Sequence, residues 1–489
     1  MKLKLLFALL FVTISNAQTQ IGQEITGDNG DPSFGSNVAL SENGNVLAIT
    51  SELYNLTGTS DGLVRVYSKT SGNWSQIGQD IIGPVNSRMG YRVVLSNDGS
   101  VLAVSNYSNL VQVYKNVNNK WTQIGQDIQE YGHSISLSGD GSTIAIGDGL
   151  INKFNPRPVT IYKNISGNWT RIGTIPGNPD GFGFGVALSE NGDILAVSIY
   201  NGTLSGLVVI YKNVNNIWTD IGNTYTINPN DSLGFRVSIS SDGNTIAVTS
   251  SKTQSATQNY GSVFVYKNIN NIWKQMGNEI ISPVPNEQFA KNVVISGSGN
   301  VVVVGSMTST TGKTGRLDIF EYLQGNWVKK GEIIDQNGSN IWWAIALSRD
   351  GKNLAFSNLG NVTVNPIPKS TANNIEEQLI TDDLSITNNY EAKGGPGSSI
   401  MVFDIQGILS SDTFVLENFN IYPNPTTDIL NIELKNSLVL EKVLIYNTTG
   451  QLIKESKEKI INLNGLAKGI YHVQVITDKG KATQKVVVK

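Results

Sequence analysis

The chain contains no cysteine among its 489 residues. Disulfide staples and thiolate-bound metals are thereby excluded. Histidine is nearly as scarce, with only His133 and His472. A histidine-rich metal centre cannot be built from these two, and no Ser-His-Asp set assembles around either. Charge is thin as well: 15% of residues are charged and the formal net charge is −3. That argues against an electrostatic binder of nucleic acid or anionic membrane. No apolar run is long enough to span a bilayer comfortably. The run Leu5 to Ile14 follows Lys2 and Lys4 and ends at small residues, Ser15 and Ala17, at the −3 and −1 positions of a cut before Gln18. It reads as a secretory signal peptide over 1–17, cleaved between Ala17 and Gln18.

What the chain has in abundance is repetition. A hydrophobic stretch, then Ser-x-(Asp/Asn/Ser)-Gly, then a second hydrophobic stretch recurs seven times, at Ser41, Ser96, Ser138, Ser189, Ser240, Ser296 and Ser348. A period near fifty residues built from short apolar runs predicts an all-β fold, a seven-bladed β-propeller over 18–405, followed by a small Ig-like β-sandwich. Each blade should carry four antiparallel strands, a to d from the centre outward. The Asn-Gly and Asp-Gly pairs of the a–b connections accept positive φ at both central positions, as twist-matched hairpin turns require. On the c–d hairpin an aromatic residue stands seven positions before a tryptophan in six repeats, from Tyr67 with Trp74 to Phe320 with Trp327. Such a stripe reads as packing between blades. The seventh repeat lacks this tryptophan. Its missing outer strand is expected from residues 20–25, which would close the ring and remove its free edges.

These motifs resemble the FG-GAP and WD-repeat-like propellers of secreted bacterial proteins, through Gly183-Phe184-Gly185, Gly234-Phe235 and Ser348-Arg349-Asp350-Gly351-Lys352. Such propellers host many activities, so the resemblance speaks to fold. A linker is expected over 406–418, then a domain over 419–489. Tyr422-Pro423-Asn424-Pro425, Gly450-Gln451-Leu452 and Gly469-Ile470-Tyr471 resemble, in order and spacing, the C-terminal sorting domain (type A) of the type IX secretion system. The resemblance implies the type IX machinery as partner and a secreted or outer-membrane-surface location in a Gram-negative bacterium.

Chemistry is harder to find. No Asp-x-Asp-x-Asp-Gly calcium cage is present, and the a–b turns are too short to wrap such an ion. Asp31, Asp180 and Asp231 recur before strand a and are expected to accept turn amides. Among top-loop carboxylates, Asp61, Asp148 and Glu287 show no pairing of the kind a glycosidase needs. No cofactor or metal is expected. The loops that share one face vary in length: 51–62, 147–158, 223–234, 250–261 and an insertion over about 358–399. Their aromatics Tyr54, Tyr107, Phe154, Tyr200 and Tyr260, with Trp342, Trp343, Arg92 and Arg236, form a candidate ligand rim. The expected role is non-catalytic binding or adhesion to a glycan or protein. A polysaccharide-active enzyme and a structural surface-coat protein are the alternatives.

Overall fold

The computed structural model describes residues 19–28, 31, 33–55, 60–107, 109–149, 157–177, 182–199, 206–224, 231–255, 258–282, 287–308, 315–335, 344–358, 362–366, 399–406, 409, 419–434, 438–447, 452–477 and 480–489. Ala17, Gln18, Phe154, Tyr200, Trp342, Trp343 and Gly450 lie outside them. Every regular element among the described residues is a β-strand. The chain divides into two compact units, Met1–Ile408 and Leu409–Lys489.

In the first unit the described strands form seven antiparallel sheets, numbered here in chain order. Sheet 4 is representative, running Phe182–Leu188, Ile194–Ile199, Leu207–Val214 and Ile217–Thr224 in sequential order. The central strands of each sheet are buried on both faces and read as continuous apolar runs, such as Val101–Ser105 and Thr143–Gly147. The innermost strands touch one another in turn: Phe34–Leu40, Arg92–Leu95, Ser134–Leu137, Phe182–Leu188, Asp231–Ile239, Glu287–Ile295, Ile345–Leu347, and back to Phe34–Leu40. Sheet 7 takes its outer edge from the start of the chain. Gln20 pairs with Phe403 and Ile25 with Ile400, while the Ile21 N–H donates to the Val402 carbonyl at 2.7 Å.

The repeated serine explains itself locally. In sheet 3, Ser138 Oγ accepts the Thr143 N–H at 2.9 Å and donates to Asp140 Oδ1 at 2.6 Å. The same carboxylate accepts the Ser142 N–H at 2.9 Å. Ser96 and Ser240 repeat this arrangement with Asp98 and Asp242. One buried hydroxyl thus satisfies the amide that the turn leaves unpaired. The residue after each serine joins its neighbours. Glu42 N–H donates to the Asn97 carbonyl, Asn97 to Gly139, Gly139 to Glu190, Glu190 to Ser241, Ser241 to Gly297 and Gly297 to Arg349, all at 2.7–2.9 Å. Asp350 N–H returns to the Glu42 carbonyl at 3.1 Å, so the backbone hydrogen bonds run in a closed circle.

Two expectations are corrected. The a–b turns have positive φ at the glycine alone, as at Gly141 (φ 72). The doubly positive turns lie instead on c–d hairpins, at Asn118-Asn119, Asn215-Asn216 and Asn270-Asn271. The serine hydroxyl supplies the a–b turn with a bond that a two-residue turn has no room for. Residues 250–261 are not a loop either. They extend a hairpin, with Ser255 opposite Gln258 and Tyr260 opposite Lys252. Within the expected 358–399 insertion, Val362–Pro366 forms a fifth strand on sheet 6, paired with 331–335.

Tryptophans seal the sheet-to-sheet seams. Trp121 Nε1 donates to the Ile77 carbonyl of the preceding sheet at 3.0 Å, and Gln79 brackets the Trp121 main chain, accepting its N–H and donating to its carbonyl. Gln23 brackets Trp74 and Gln126 brackets Trp169 likewise. Asn278 accepts the Trp327 N–H. A Cβ on Gly78 would stand 2.7 Å from the Trp121 ring, so a glycine is required there.

The second unit holds a three-stranded and a four-stranded antiparallel sheet. Leu430, Ile432, Val443, Ile445, Val473 and Val486 form their common core.

Candidate functional site

The first strands of sheets 2 to 5 bring four side chains into a row. Arg92 opens the strand of sheet 2, with Tyr91 just before it; His133 precedes the strand of sheet 3; Phe184 and Arg236 lie on those of sheets 4 and 5. Each stands four or five residues before its repeat serine, at the opposite end of the strand from the closed circle, about 16 Å away at ~3.3 Å per residue. The His133 ring sits 5.7 Å from Tyr91 and 4.8 Å from Phe184. The Arg92 guanidinium lies 4.5 Å over Tyr91, and that of Arg236 lies 5.9 Å from the Phe184 centroid. Arg92 also donates to the Tyr91 carbonyl at 2.8 Å, an oxygen shared with Asn37 Nδ2 of sheet 1 at 2.9 Å.

The electrostatics follow from crowding cations away from water. Burial lowers the pKa of Arg92, with only a partial offset from Tyr91 and Glu52. Burial and the field of Arg92 bring Arg236 down to about 9. Burial, then Arg92 and Arg236, hold His133 near about 4, so the ring is neutral around pH 7; the Phe184 backbone pulls weakly the other way. His133 Nδ1 is buried and makes no hydrogen bond of normal geometry. The space beside it exists because residue 149 is glycine, where a Cβ would stand 2.8 Å from Nδ1. Glu52 is pushed up by burial, against the pull of Arg88 and Arg92. Among the described residues, Arg92 has no carboxylate within ion-pair distance.

The opposite end of these strands is balanced. Arg349 reaches from sheet 7 to the Ile239 carbonyl of sheet 5 at 3.3 Å. Burial lowers its pKa, and the fields of Glu190 and Glu42 work against that.

Of the expected rim, the structure unites Arg92, Arg236 and Tyr107. Tyr107 is 62% exposed, edge-on to Tyr91 at 5.4 Å, with Arg88 5.5 Å from its ring. Tyr54 is half-buried and fixes its loop through its carbonyl, which accepts the N–H groups of Asp61 and Gly62. Tyr260 stands in a strand, and its side chain lies outside the described residues. Tyr91, His133 and Phe184 escape a search for loop aromatics. Aligning the chain on its repeat serines finds them, since all three occupy the fifth position upstream. Asp61 Oδ1 accepts the Asn86 N–H at 3.1 Å, and Asp148 pairs with Arg157 at 2.8 Å. Asp31 Oδ1 accepts the Ser33 N–H at 3.0 Å. Asp180 and the side chains of Asp231 and Glu287 lie outside the described residues.

In the second unit, Tyr422-Pro423-Asn424-Pro425 holds the final strand. Asn424 Oδ1 accepts the Val487 N–H at 3.0 Å, and the Thr426 N–H donates to the Val487 carbonyl at 2.9 Å. Tyr471 is buried and donates its hydroxyl to the Ala467 carbonyl at 2.9 Å, while Gly469 begins the adjoining strand Gly469–Thr477. His472 pairs opposite Lys485 in the same sheet.

Comparison with known proteins gives two matches. The chain is 35% identical over 81 residues to an ulvan lyase of Nonlabens ulvanivorans; the matched stretch is 16% of this chain and 15% of that protein. No helix among the described residues is long and apolar enough to cross a membrane. Residues 420–489 match the secretion system C-terminal sorting domain family, which supports handling by the type IX secretion machinery and a secreted or cell-surface location.

Proposed function

We propose that residues 18–405 are a seven-bladed β-propeller of the FG-GAP or WD-repeat-like kind, carried to the outer surface of a Gram-negative cell by an Ig-like sorting domain, and that the mature chain is a non-catalytic binding or adhesion module. The closed circle of seven backbone hydrogen bonds supports the propeller. The observation that carries the binding role is the row Arg92–Tyr91–His133–Phe184–Arg236, where cations and aromatic faces meet at one end of the inner strands. Rings beside guanidiniums suit saccharides and peptides. The engaged states of Asp61 and Asp148 favour binding over glycoside hydrolysis.

A second reading, a polysaccharide-active enzyme, draws on His133. A neutral imidazole beside two arginines can act as a base while the cations stabilise developing negative charge. Both readings are tested by probing a glycan and protein array with the mature chain and assaying the bound saccharides for chain cleavage. Retention without cleavage supports the binding module. Cleavage lost in His133→Ala supports the enzyme. No retained partner of any kind would leave a structural coat. Deleting 419–489 in the native host should hold the protein in the periplasm, and normal surface display of that truncation would refute the sorting role.

A further inference from the structure

We propose that Arg92, Arg236 and His133 form a subsite for an oxyanion, a carboxylate or sulfate group, borne on a saccharide whose ring lies against Tyr91, Phe184 and the exposed Tyr107. The proposal rests on the binding reading above and names its ligand class.

Two guanidiniums and an imidazole share one partly buried end of the inner strands. Each cation there raises the cost of its neighbours, as the mutual lowering of Arg236 and His133 by Arg92 records. Aromatic faces hold both guanidiniums in place but supply no full negative charge. The nearest acidic group felt by Arg92 is Glu52, whose own burial favours its neutral form. Lys291, on the first strand of sheet 6, is a further cation whose charged form burial disfavours. At the other end of the same strands, Arg349 has Glu42 and Glu190 beside it. A buried excess of one sign at one end only is what an anionic ligand would complete. The guanidinium forks match a planar or tetrahedral oxyanion. Gly149 leaves room beside His133 Nδ1, a ring nitrogen that a ligand hydroxyl can reach as donor.

The rings decide between saccharide and peptide. Tyr91, His133 and Phe184 follow one another at 4.8–5.7 Å, and Tyr107 stands edge-on to the first of them. That is a continuous aromatic wall beside the cations, suited to the apolar faces of successive sugar rings.

The test is calorimetric titration of the mature full chain with four probes: oligogalacturonate, sulfated dextran, unmodified dextran and poly-glutamate. Oligogalacturonate, sulfated dextran or both should bind, and the stronger of the two identifies the oxyanion. Arg92→Gln and Arg236→Gln should each weaken that binding by about 10-fold or more, the scale of a charge-assisted hydrogen bond. Their melting temperatures should equal or exceed that of the parent, because a buried repulsion is relieved. Tyr107→Ala should weaken the saccharide several-fold. Equal binding of unmodified dextran, or parental affinity in both arginine variants, overturns the oxyanion subsite. Equal binding of poly-glutamate overturns the saccharide. If none of the four binds while an array ligand does, and that ligand ignores Arg92→Gln, the subsite fails and the binding reading stands. If no array ligand exists either, both fail.

Discussion

Trp74 Nε1 donates to the carbonyl of Ile21 at 2.9 Å, so the first sheet's tryptophan is held by a residue that precedes the whole repeat array. Gln23 brackets the same tryptophan, and Ile25 is buried with Trp74, Phe34 and Ile400 in one cluster. The start of the chain is therefore both the outer edge of sheet 7 and the clasp on sheet 1. Removing it exposes an unpaired strand, Ser399–Asp404, and leaves a buried indole N–H without an acceptor.

Deleting residues 19–26 is thus expected to lower the melting temperature by several degrees or more and to promote aggregation. Trp74→Phe, which removes only the hydrogen bond, should cost about 1 kcal/mol. Trp74→Ala should cost on the order of 3–5 kcal/mol. Differential scanning calorimetry of the three variants checks the order. A deletion that melts with the parent would show that the seam does not hold the array.

The repeat serines offer a cleaner energetic comparison. Ser138→Ala leaves the Thr143 N–H unpaired inside the protein and strips Asp140 of a donor. The expected loss is about 1–3 kcal/mol. Ser142→Ala, on the exposed side of the same turn, should change stability by less than about 0.5 kcal/mol. Urea titration distinguishes the two, and equal losses would remove the hydroxyl from its structural role.

Much of this architecture is legible in the sequence, and the reasons differ by element. The serines are legible because a turn that needs a side-chain acceptor must place it at a fixed offset in every repeat. The tryptophans are legible as packing because their spacing from Tyr67 or Tyr114 is constant. The clamp is not: Gln23, Gln79 and Gln126 lie one residue past the Ile-Gly ends, and only the folded chain shows that they bracket a tryptophan some fifty residues later. The hairpin 250–261 was hidden because polar Ser, Thr and Gln residues read as loop, whereas strand pairing overrides their propensity. His133 is discounted when histidines are counted for metal chemistry. Its neighbours become visible only when first strands, far apart in sequence, are set side by side.

Acid should act on the fold in two stages. His133 has its folded pKa lowered to about 4, by burial first and then by Arg92 and Arg236. Its unfolded value is about 6.5. The unfolded chain therefore binds the proton more readily, and stability declines as pH falls from the unfolded value through the folded one. After allowance for partial solvent screening the loss is on the order of 2 kcal/mol. Burial tends to raise Asp98, Asp140 and Asp242, but the serine hydroxyls and turn amides outweigh it and leave all three lowered. Their contribution is present above the unfolded carboxylate range and disappears below it, as pH falls through their folded values. His133→Gln should flatten the stability profile between about pH 6.5 and 4 while leaving the steeper fall below it. Urea midpoints measured across pH check this. An unchanged slope in the upper window would mean that His133 takes up its proton as easily folded as unfolded.

The seams between sheets are not equally made, and this leads to a comparison within one molecule. Trp121, Trp169 and Trp327 donate their indole N–H to Ile77, Ile124 and Met276 at 2.7–3.0 Å. Trp218 and Trp273 make no such bond. The backbone explains the split. Gly78, Gly125 and Gly277 have φ of 73–75° and turn the chain so that the preceding carbonyl faces the indole. Gly173 instead continues the strand Asn168–Ile175, and Gly222 has a wider φ of 135° within Ile217–Thr224. Those longer strands continue along their own sheet instead of turning to clasp the next one. Trp121→Phe, Trp169→Phe and Trp327→Phe should therefore each cost about 1 kcal/mol more than Trp218→Phe and Trp273→Phe. Amide hydrogen exchange should also be faster along the seams flanking sheet 4 than along those flanking sheet 2. Equal costs for all five substitutions, with uniform exchange, would show that the indole hydrogen bond adds nothing beyond the ring's burial.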